Sequence, residues 1–292
     1  MLIIAKSKLN ECAYDKLNKH ADAIELHLED EIIKNANWWD GELINNLPIK
    51  VVHAPLLDSD DVRLEIVSHR KVLLSTCKFA QQIASVKGYD IIVVIHLGMH
   101  PEEMEQVGIY ESVKSFMQIL LDAYPNLHFA IENVIRLNKT IDGKTLRFRA
   151  VDFTAAPSFA KDMNNPRVGT CLDTCHAMMD MNIMHLIAEN IGEDARRFTI
   201  QEESRGIEGF FEANKNTIKL IHLARINKHG CGADHGLGFS EENREQLSQI
   251  ISLYRKYQYT CPITIEVKEE DYYNAVNFQM TRELLLDVLK SN

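Results

Sequence analysis

The segment RVGTCLDTCHA, Arg167–Ala177, is the most informative stretch of the chain. Its first half is an apolar run that predicts a buried strand, and the run ends in the carboxylate of Asp173. His176 follows three residues later, where a helix could begin, so both side chains can face one point. A buried aspartate is costly unless it is paired or binds a metal. The alternative is that Asp173 only caps the helix and His176 packs in the core.

Seven further apolar runs of this kind lie elsewhere in the chain. They are LIIAK (Leu2–Lys6), AIELHLE (Ala23–Glu29), KVVHAPL (Lys50–Leu56), DIIVVIHLG (Asp90–Gly98), HFAIENV (His128–Val134), IKLIHLA (Ile218–Ala224) and PITIEVK (Pro262–Lys268). Apolar residues are mostly consecutive in these runs, which is typical of strands buried on both faces of a parallel sheet. Together with Arg167–Asp173 they make eight predicted strands.

Helical patterns separate the predicted strands. The clearest runs from Asp61 to Lys87, and Gly88 ends it. The other predicted helices are Tyr110–Ala123, Phe153–Met163, Met178–Asn190, Glu203–Asn214, Ser240–Tyr257 and Tyr272–Leu289. This alternation predicts an α/β protein, a single (β/α)₈ TIM barrel over residues 1–292. An open doubly wound sheet is the alternative, but its usual glycine-rich loop does not follow the first strand.

Composition limits the class of protein. Hydrophobic residues make up 46% and charged residues 25%, which is ordinary for a soluble domain. The chain start resembles no signal peptide and no apolar run is long enough to span a membrane, so we expect a cytoplasmic protein. The six scattered cysteines are expected to be reduced thiols. The net charge of −10 argues against a broad basic face for polyanions, although bound divalent cations would reverse the sign locally.

Side chains that bind metals stand at the carboxyl ends of consecutive predicted strands. In a TIM barrel these ends share one rim, where catalytic groups gather. A single histidine there is more often a hydrogen-bonded core residue than a ligand, but the pattern repeats at six strands. The residues are His53, His96, Glu132, Asp173, His222 and Glu266, with His176 just beyond and Asp234 and His235 in the loop after the seventh strand. Imidazoles and carboxylates without cysteine suit Zn²⁺, Mn²⁺ or Fe²⁺.

Two basic features near these strand ends are candidates for binding phosphate. Lys268 follows Glu266 by two residues, although a solvated lysine is the commoner outcome. The segment Ile135–Arg149 is the most basic stretch of the chain, but the turn residues Asp142 and Gly143 favour an ordinary exposed hairpin. Six other histidines, among them His27, receive no role.

A family resemblance emerges from seven short motifs taken together. The chain resembles the xylose isomerase-like TIM-barrel superfamily, AP endonuclease family 2, in HAPL (53–56), HLGMH (96–100), IEN (131–133), CLDTCHA (171–177), IHL (221–223), DH (234–235) and IEV (265–267). CLDTCHA and HLGMH are most similar to the endonuclease IV family. That resemblance implies a divalent-metal-dependent hydrolase that cleaves a phosphodiester, for example at abasic sites in DNA, with a metal-activated hydroxide.

The same resemblance implies up to three zinc ions and a place for each ligand. The first ion would be bound by His53, His96 and Glu132. The second would be bound by Glu132, Asp173, His222 and Glu266, and the third by His176, Asp234 and His235. The implied catalytic residues are Glu132, Glu266 and His176. The expected substrate is DNA or a phosphorylated small molecule or sugar, and neither a membrane nor an obligate protein partner is expected.

Three departures from the endonuclease IV pattern count against a DNA-repair enzyme. Asp234 and His235 are adjacent, with Ala233 where that family carries the acid, and adjacent side chains in an extended segment point apart. Leu56 replaces the aromatic residue that follows the first metal histidine. Asn37 occupies the position nearest to the family's DNA-penetrating arginine.

The competing hypothesis is a single-metal sugar or sugar phosphate isomerase or epimerase of the same superfamily. By resemblance, that branch binds one divalent ion such as Mn²⁺ through the quartet Glu132, Asp173, His222 and Glu266. The metal polarises a carbonyl and a hydroxyl while two glutamates move the proton. This alternative does not explain why both His53 and His96 are present. A barrel that keeps metals only for structure is a third hypothesis, disfavoured because so large a core does not need them.

Overall fold

The computed structural model describes residues 1–8, 20–28, 41–57, 60–134, 136–139, 146–149, 154–179, 206–227, 236–271 and 274–291. Eight parallel strands in these segments form a closed barrel. They are β1 (Ile3–Lys8), β2 (Ala23–His27), β3 (Ile49–His53), β4 (Ile91–Leu97), β5 (Leu127–Asn133), β6 (Val168–Asp173), β7 (Ile218–Leu223) and β8 (Ile263–Ile265). Each strand pairs with its neighbours in the chain, and β1 closes the barrel against β8. The TIM barrel expected from the sequence is confirmed.

The strands begin and end within a few residues of their predicted limits. β1 continues two residues past its predicted end at Lys6, whereas β8 ends at Ile265. Glu266 and Lys268 therefore lie directly after the last strand rather than inside it. Strands β4, β5 and β6 are buried along almost their entire length, as their continuous apolar patterns require.

Helices pack around the barrel. They are α1 (Gly41–Asn46), α2 (Arg70–Lys87), α3 (Pro101–Gln106), α4 (Tyr110–Ala123), α5 (Ala155–Met163), α6 (Gly206–Asn214), α7 (Arg244–Lys256) and α8 (Val276–Ser291). A further helix begins at residue 174 and is described as far as residue 179, so most of the predicted helix Met178–Asn190 lies outside the described residues. Within the part of the chain that is described, no helix is both long and apolar enough to cross a bilayer.

The predicted start of α2 at Asp61 is wrong. The helix begins at Arg70, because Leu56–Leu57 pairs with Asp60–Asp61 in a short antiparallel hairpin and Arg63 bridges to His96. Its end is as predicted, since Gly88 adopts a left-handed φ of 70° that suits glycine.

The predicted basic hairpin after β5 is present. Arg136–Lys139 pairs antiparallel with Leu146–Arg149, while its predicted turn at Asp142 and Gly143 falls outside the described residues. Four cysteines in the described segments are buried free thiols, in agreement with the expectation of reduced cysteines: Cys77, Cys171, Cys175 and Cys261.

An apolar layer fills the interior of the barrel. It is formed by small and branched side chains from seven strands: Ile4, Ala23, Val51, Val94, Ala130, Cys171 and Leu220. Side chains two residues apart on a strand point to the same face. The residue two positions further along each strand therefore also points inward, one step nearer the carboxyl end of the barrel.

Candidate metal centre

The inward-pointing position above the apolar layer is polar on seven strands and directly after the eighth. Counting two residues onward from the apolar layer, and from Thr264 on β8, gives a ring of eight side chains: Lys6, Glu25, His53, His96, Glu132, Asp173, His222 and Glu266. Strand periodicity alone thus carries these groups to one mouth of the barrel. Six of the eight are residues that the sequence analysis singled out as candidate ligands.

Glu132 lies at the centre of this ring. Its carboxylate is almost completely buried, and Oε2 is 3.2 Å from Nε2 of His53 and 3.4 Å from Nε2 of His96. Oε2 is also 3.4 Å from Nδ1 of His222, while Oε1 is 3.1 Å from Nδ1 of His176. A single carboxylate from β5 therefore contacts four imidazoles from other strands and the helix after β6.

Glu132 belongs to three groups of donor atoms. One of them pairs it with Cys171 and His222, and the other two contain only imidazoles and carboxylates. Of these two, one consists of His53, His96 and Glu132, and the other consists of Glu132, Asp173, His222 and Glu266. Within each group the donor atoms lie within 4.8 Å of one another. These two groups are the sets expected for the first and second ions. Of the set expected for the third ion, His176 lies beside Glu132, whereas Asp234 and His235 lie outside the described residues.

The hydrogen bonds of the histidines fit a divalent cation. Nδ1 of His53 lies 2.7 Å from the carbonyl oxygen of Ala54 and donates to it, so the Nε2 lone pair faces the carboxylate of Glu132. On His222, Nε2 donates to Glu25 at 3.0 Å, so Nδ1 faces Glu266 and offers its lone pair there when the ring is neutral. Two acceptors that face each other this closely repel unless a cation or a proton lies between them. A carboxylate or carbonyl behind the imidazole is the usual support of a metal-bound histidine.

The contact between His222 and Glu266 is the strongest sign of such a site. Nδ1 of His222 and Oε2 of Glu266 are both buried and lie 2.6 Å apart, so a proton or a bound cation must lie between them. Buried polar atoms are rarely left unsatisfied in folded proteins. An ion bound by both atoms would satisfy them.

Asp173 combines the two roles that the sequence left open. Its Oδ1 accepts a hydrogen bond of 2.6 Å from the backbone N–H of His176, which caps the helix that begins at residue 174. Its Oδ2 lies 3.9 Å from Nδ1 of His222, on the side of the donor group. The Asn133 side chain fixes this strand end, since it accepts from Asp173 N–H at 2.8 Å and donates to the Asp173 carbonyl at 3.1 Å.

Three residues of the site were not among the candidate ligands. Lys6 forms an ion pair with Glu266, and its Nζ lies 3.6 Å from Oε1 of Glu25. Glu25 is completely buried and also accepts a hydrogen bond of 2.8 Å from the Thr264 hydroxyl. The ring of His27 lies 4.9 Å from the ring of His53 and lines the cavity. Lys6 could have been found from the sequence, because it lies two residues after Ile4 and therefore points to the same face of the strand.

Charges in the ring depend strongly on one another. Burial raises the pKa of Glu132, but the neighbouring His222 and His96 lower it by a larger amount. The pKa of Glu132 therefore lies well below its usual value. Burial lowers the pKa of His222, yet the carboxylates around it hold the pKa well above its usual value. Burial likewise opposes protonation of His176, while Asp173 and Glu132 raise its pKa to about 10. Burial and Lys6 lower the pKa of His53, which favours a neutral ring.

The ring opens into a cavity of about 220 Å³. Besides ring members, its described walls include Ser7, Lys8, His27, Cys175, His176 and Lys268. This volume is below the roughly 300–1,000 Å³ of sites for drug-sized ligands. The cavity bounded by the described residues therefore suits a small molecule or one extended group of a larger one.

No model of a known protein family and no curated protein matches this chain. Solved structures do match it over nearly its whole length. Endonuclease IV from Thermus thermophilus is 14% identical, with a TM-score of 0.58 over 98% of this chain and 100% of that one. D-allulose 3-epimerase from Methylomonas sp. is 14% identical, with a TM-score of 0.58 over 100% and 97%. The IOLI protein with a bound zinc atom is 15% identical, with a TM-score of 0.60 over 100% and 99%.

These three structures belong to the xylose isomerase-like TIM-barrel superfamily, and this chain shares their fold. Their names cover a nuclease, an epimerase and a zinc-binding protein. At identities of 14 to 15% the comparison establishes the fold and does not select a reaction.

Proposed function

We propose that this chain, which has the fold of the xylose isomerase-like TIM-barrel superfamily, is a divalent-metal-dependent hydrolase that cleaves a phosphodiester. The observation that supports it is the position of Glu132, whose carboxylate is shared by two donor groups made only of imidazoles and carboxylates. A carboxylate shared in this way suits a pair of ions rather than one. Paired ions are typical of enzymes that displace an oxygen at phosphorus.

Each of the two donor groups would hold one ion. His53, His96 and Glu132 would hold one ion, and Glu132, Asp173, His222 and Glu266 the other. When bound, such ions supply hydroxide near neutral pH and neutralise charge on the attacking and leaving oxygens. Zinc suits these nitrogen and oxygen donors, although manganese is compatible with them too.

Other residues of the chain would act directly on the substrate. His176 lines the cavity beside Glu132, and in the metal-free protein burial lowers its pKa while Asp173 and Glu132 raise it to about 10. A protonated imidazole in that position can donate a proton to the oxygen of the leaving group. Lys6 lines the cavity beside Glu266 and offsets its negative charge.

Covalent catalysis by a thiol fits the site poorly. Cys175 is the one thiol among the described residues that line the cavity. Burial raises the pKa of this thiol, and its sulfur accepts a hydrogen bond of 3.3 Å from the Gly236 N–H. A buried thiol with a raised pKa is a poor nucleophile. Attack by water under metal activation therefore agrees better with the lining.

A sugar isomerase or epimerase is the second candidate. The group Glu132, Asp173, His222 and Glu266 is complete without His53 and His96, and the small cavity suits a monosaccharide. In that case Glu132 and Glu266 would move a proton between neighbouring carbons.

Hydrolysis of bis(p-nitrophenyl) phosphate by the zinc-loaded and manganese-loaded protein tests the proposal. We expect turnover that Glu132→Gln lowers by roughly 100-fold or more, since the shared ligand is lost. Glu208→Gln, at an exposed glutamate bonded to Lys256, is the matched control and should retain activity. Absence of phosphodiester hydrolysis with full metal content, together with deuterium exchange into a ketose in D₂O, would favour the isomerase instead.

A further inference from the structure

The lysines of the cavity are all on one side of it. Lys6 and Lys8 belong to β1, and Lys268 follows β8. β1 and β8 are adjacent, with Ile3 paired to Ile263. Among the described residues that line the cavity, no other lysine or arginine is present. The histidines and carboxylates of the two donor groups come mainly from β3 to β7, so the cavity has a cationic side and a metal-binding side.

Lys6 keeps a donor for a ligand after its ion pairs are counted. Its side chain is 11% exposed, and its ammonium contacts Glu266 and, at 3.6 Å, Glu25. An ammonium group carries three N–H donors, and these two carboxylates account for two of them. The third can reach a group inside the cavity.

The charges that line the cavity favour an anion once metal is bound. Three lysines line it together with three carboxylates, Glu132, Asp173 and Glu266, so these charges cancel. Each divalent ion then adds two positive charges. Glu25 is absent from the lining and lies deeper, bonded to His222. The cavity therefore becomes cationic within a chain whose net charge is −10.

The position of Lys268 at the cavity edge is fixed by Gly236. The Lys268 N–H donates to the Gly236 carbonyl at 2.7 Å, and Gly236 has a left-handed φ of 75°. A Cβ at Gly236 would lie 3.3 Å from Cγ of Lys268, so the stem of the lysine passes directly over the glycine. The close approach holds the lysine stem against the wall of the cavity.

His27 supplies an unsatisfied polar atom on the same side. It is the last residue of β2, which pairs with β1 through Lys8 and His27. Its Nε2 is buried and has no hydrogen-bond partner among the described residues, although the ring lines the cavity. A bound oxyanion would satisfy this nitrogen as well as the lysines.

We propose that Lys6, Lys8, Lys268 and His27 form a subsite for a second phosphate group of the substrate, beside the donor groups that hold the metals. This inference rests on the proposed phosphodiester hydrolysis and defines its substrate as a phosphodiester that carries a further phosphate. The second phosphate can be a terminal monoester or the next diester of a nucleic acid strand. A terminal monoester and a following diester both present phosphate oxygens to the lysines, and the experiment below distinguishes the two.

Three p-nitrophenyl esters of thymidine 5′-phosphate make this test. They have a free 3′-hydroxyl, a 3′-phosphate, or a 3′-phosphate blocked as its methyl diester. We expect KM to fall by roughly tenfold or more when the 3′-phosphate is added, because charge-assisted hydrogen bonds form. Retention of the gain with the methyl diester assigns the subsite to a strand, and its loss assigns it to a terminal monoester. Equal KM values for all three esters would overturn the subsite.

Two variants test whether the lysines cause the fall in KM that the 3′-phosphate produces. Lys8→Met combined with Lys268→Met should abolish the difference between the esters and leave the zinc content unchanged. Lys215→Met is the matched control, because Lys215 precedes β7 at the opposite rim of the barrel. A gain that survives the double variant would contradict the assignment to these lysines.

Binding separates failure of the subsite from failure of the proposed function. If the zinc-loaded protein hydrolyses none of the esters, the proposed reaction is wrong, but calorimetry still tests the subsite. Thymidine 3′,5′-bisphosphate should then bind roughly tenfold more tightly than thymidine 5′-phosphate, and the double lysine variant should remove that preference. Equal binding of the two nucleotides would overturn the subsite.

Discussion

Glu25 accepts a hydrogen bond of 3.0 Å from Nε2 of His222, and both side chains are completely buried. The bond fixes the tautomer of the imidazole, so its Nδ1 faces Glu132 and Glu266. The Thr264 hydroxyl donates to the same oxygen of Glu25 and holds the carboxylate in place. Glu25 thus acts through His222 and is a positioning residue of the centre.

Replacement of Glu25 by glutamine should weaken metal binding. The amide keeps the shape of the side chain but removes the negative charge behind His222, so we expect zinc affinity to fall by roughly 10- to 100-fold. Competition with a chromophoric chelator measures this change. Glu208→Gln is the control for loss of a surface carboxylate. Wild-type affinity in Glu25→Gln would show that this contact does not tune the site.

Removal of His53 should abolish the binding of one zinc ion and leave the binding of the other intact. His53→Ala deletes a donor of the group with His96 and Glu132, while the group with Asp173, His222 and Glu266 stays complete. We expect elemental analysis to give one equivalent of zinc fewer than in the wild type. The control is His128→Ala, at a histidine bonded to Asp90. An unchanged zinc content in His53→Ala would contradict a role for this histidine in metal binding.

Metal binding should release protons and strengthen as pH rises. In the metal-free protein burial lowers the pKa of His222, but the carboxylates around it hold the pKa well above its usual value, so this member of the second donor group carries a proton that zinc must displace. Zinc binds only neutral imidazole, so proton and metal compete and affinity should increase from about pH 6 to about pH 8. Calorimetry in two buffers of different protonation enthalpy counts the protons. Binding with no proton release would contradict the raised pKa of His222.

A structural prediction concerns Arg167, which lies away from the cavity. Its guanidinium donates to the carbonyl oxygens of Leu121 at 2.7 Å and Tyr124 at 2.9 Å, at the end of α4. Arg167→Met leaves these carbonyls without their charged donor, so the free energy of unfolding should fall by about 1–3 kcal/mol. Urea denaturation measures it. Arg244→Met, which breaks exposed ion pairs with Glu241 and Asp287, should cost less. An equal cost would contradict the prediction.

Periodicity explains how much of the site the sequence revealed. Polar residues that end an apolar run are conspicuous, so the interior positions from His53 to Glu266 could be identified without coordinates. Glu25 was missed as a support of His222 because it stands inside its run, and Lys6 because a lysine at a strand end is ordinarily solvated. Both become part of the centre only when the barrel closes, which pairs β1 with β8 and brings Lys6 to Glu266 and Glu25 to His222.

Backbone pairing just before the helix explains why its start was predicted wrongly. Helical spacing from Asp61 onward is real, but the pairing of Leu56–Leu57 with Asp60–Asp61 competes with the first turns of the helix. Helical spacing also cannot report the bridge from Arg63 to the distant His96. The roles expected for Asp234 and His235 stay predictions, because both residues fall outside the described part of the chain.

Anomalous diffraction at the zinc edge, from crystals of the zinc-loaded protein, tests the central claim most directly. The claim is that Glu132 is the ligand shared by two ions. We predict two peaks, both bound to Glu132, one also contacting His53 and His96 and the other Asp173, His222 and Glu266. A single peak on the second group, with His53 and His96 unbound, would contradict the two-ion centre and favour the isomerase. Absence of any peak near Glu132 would refute the metal site altogether.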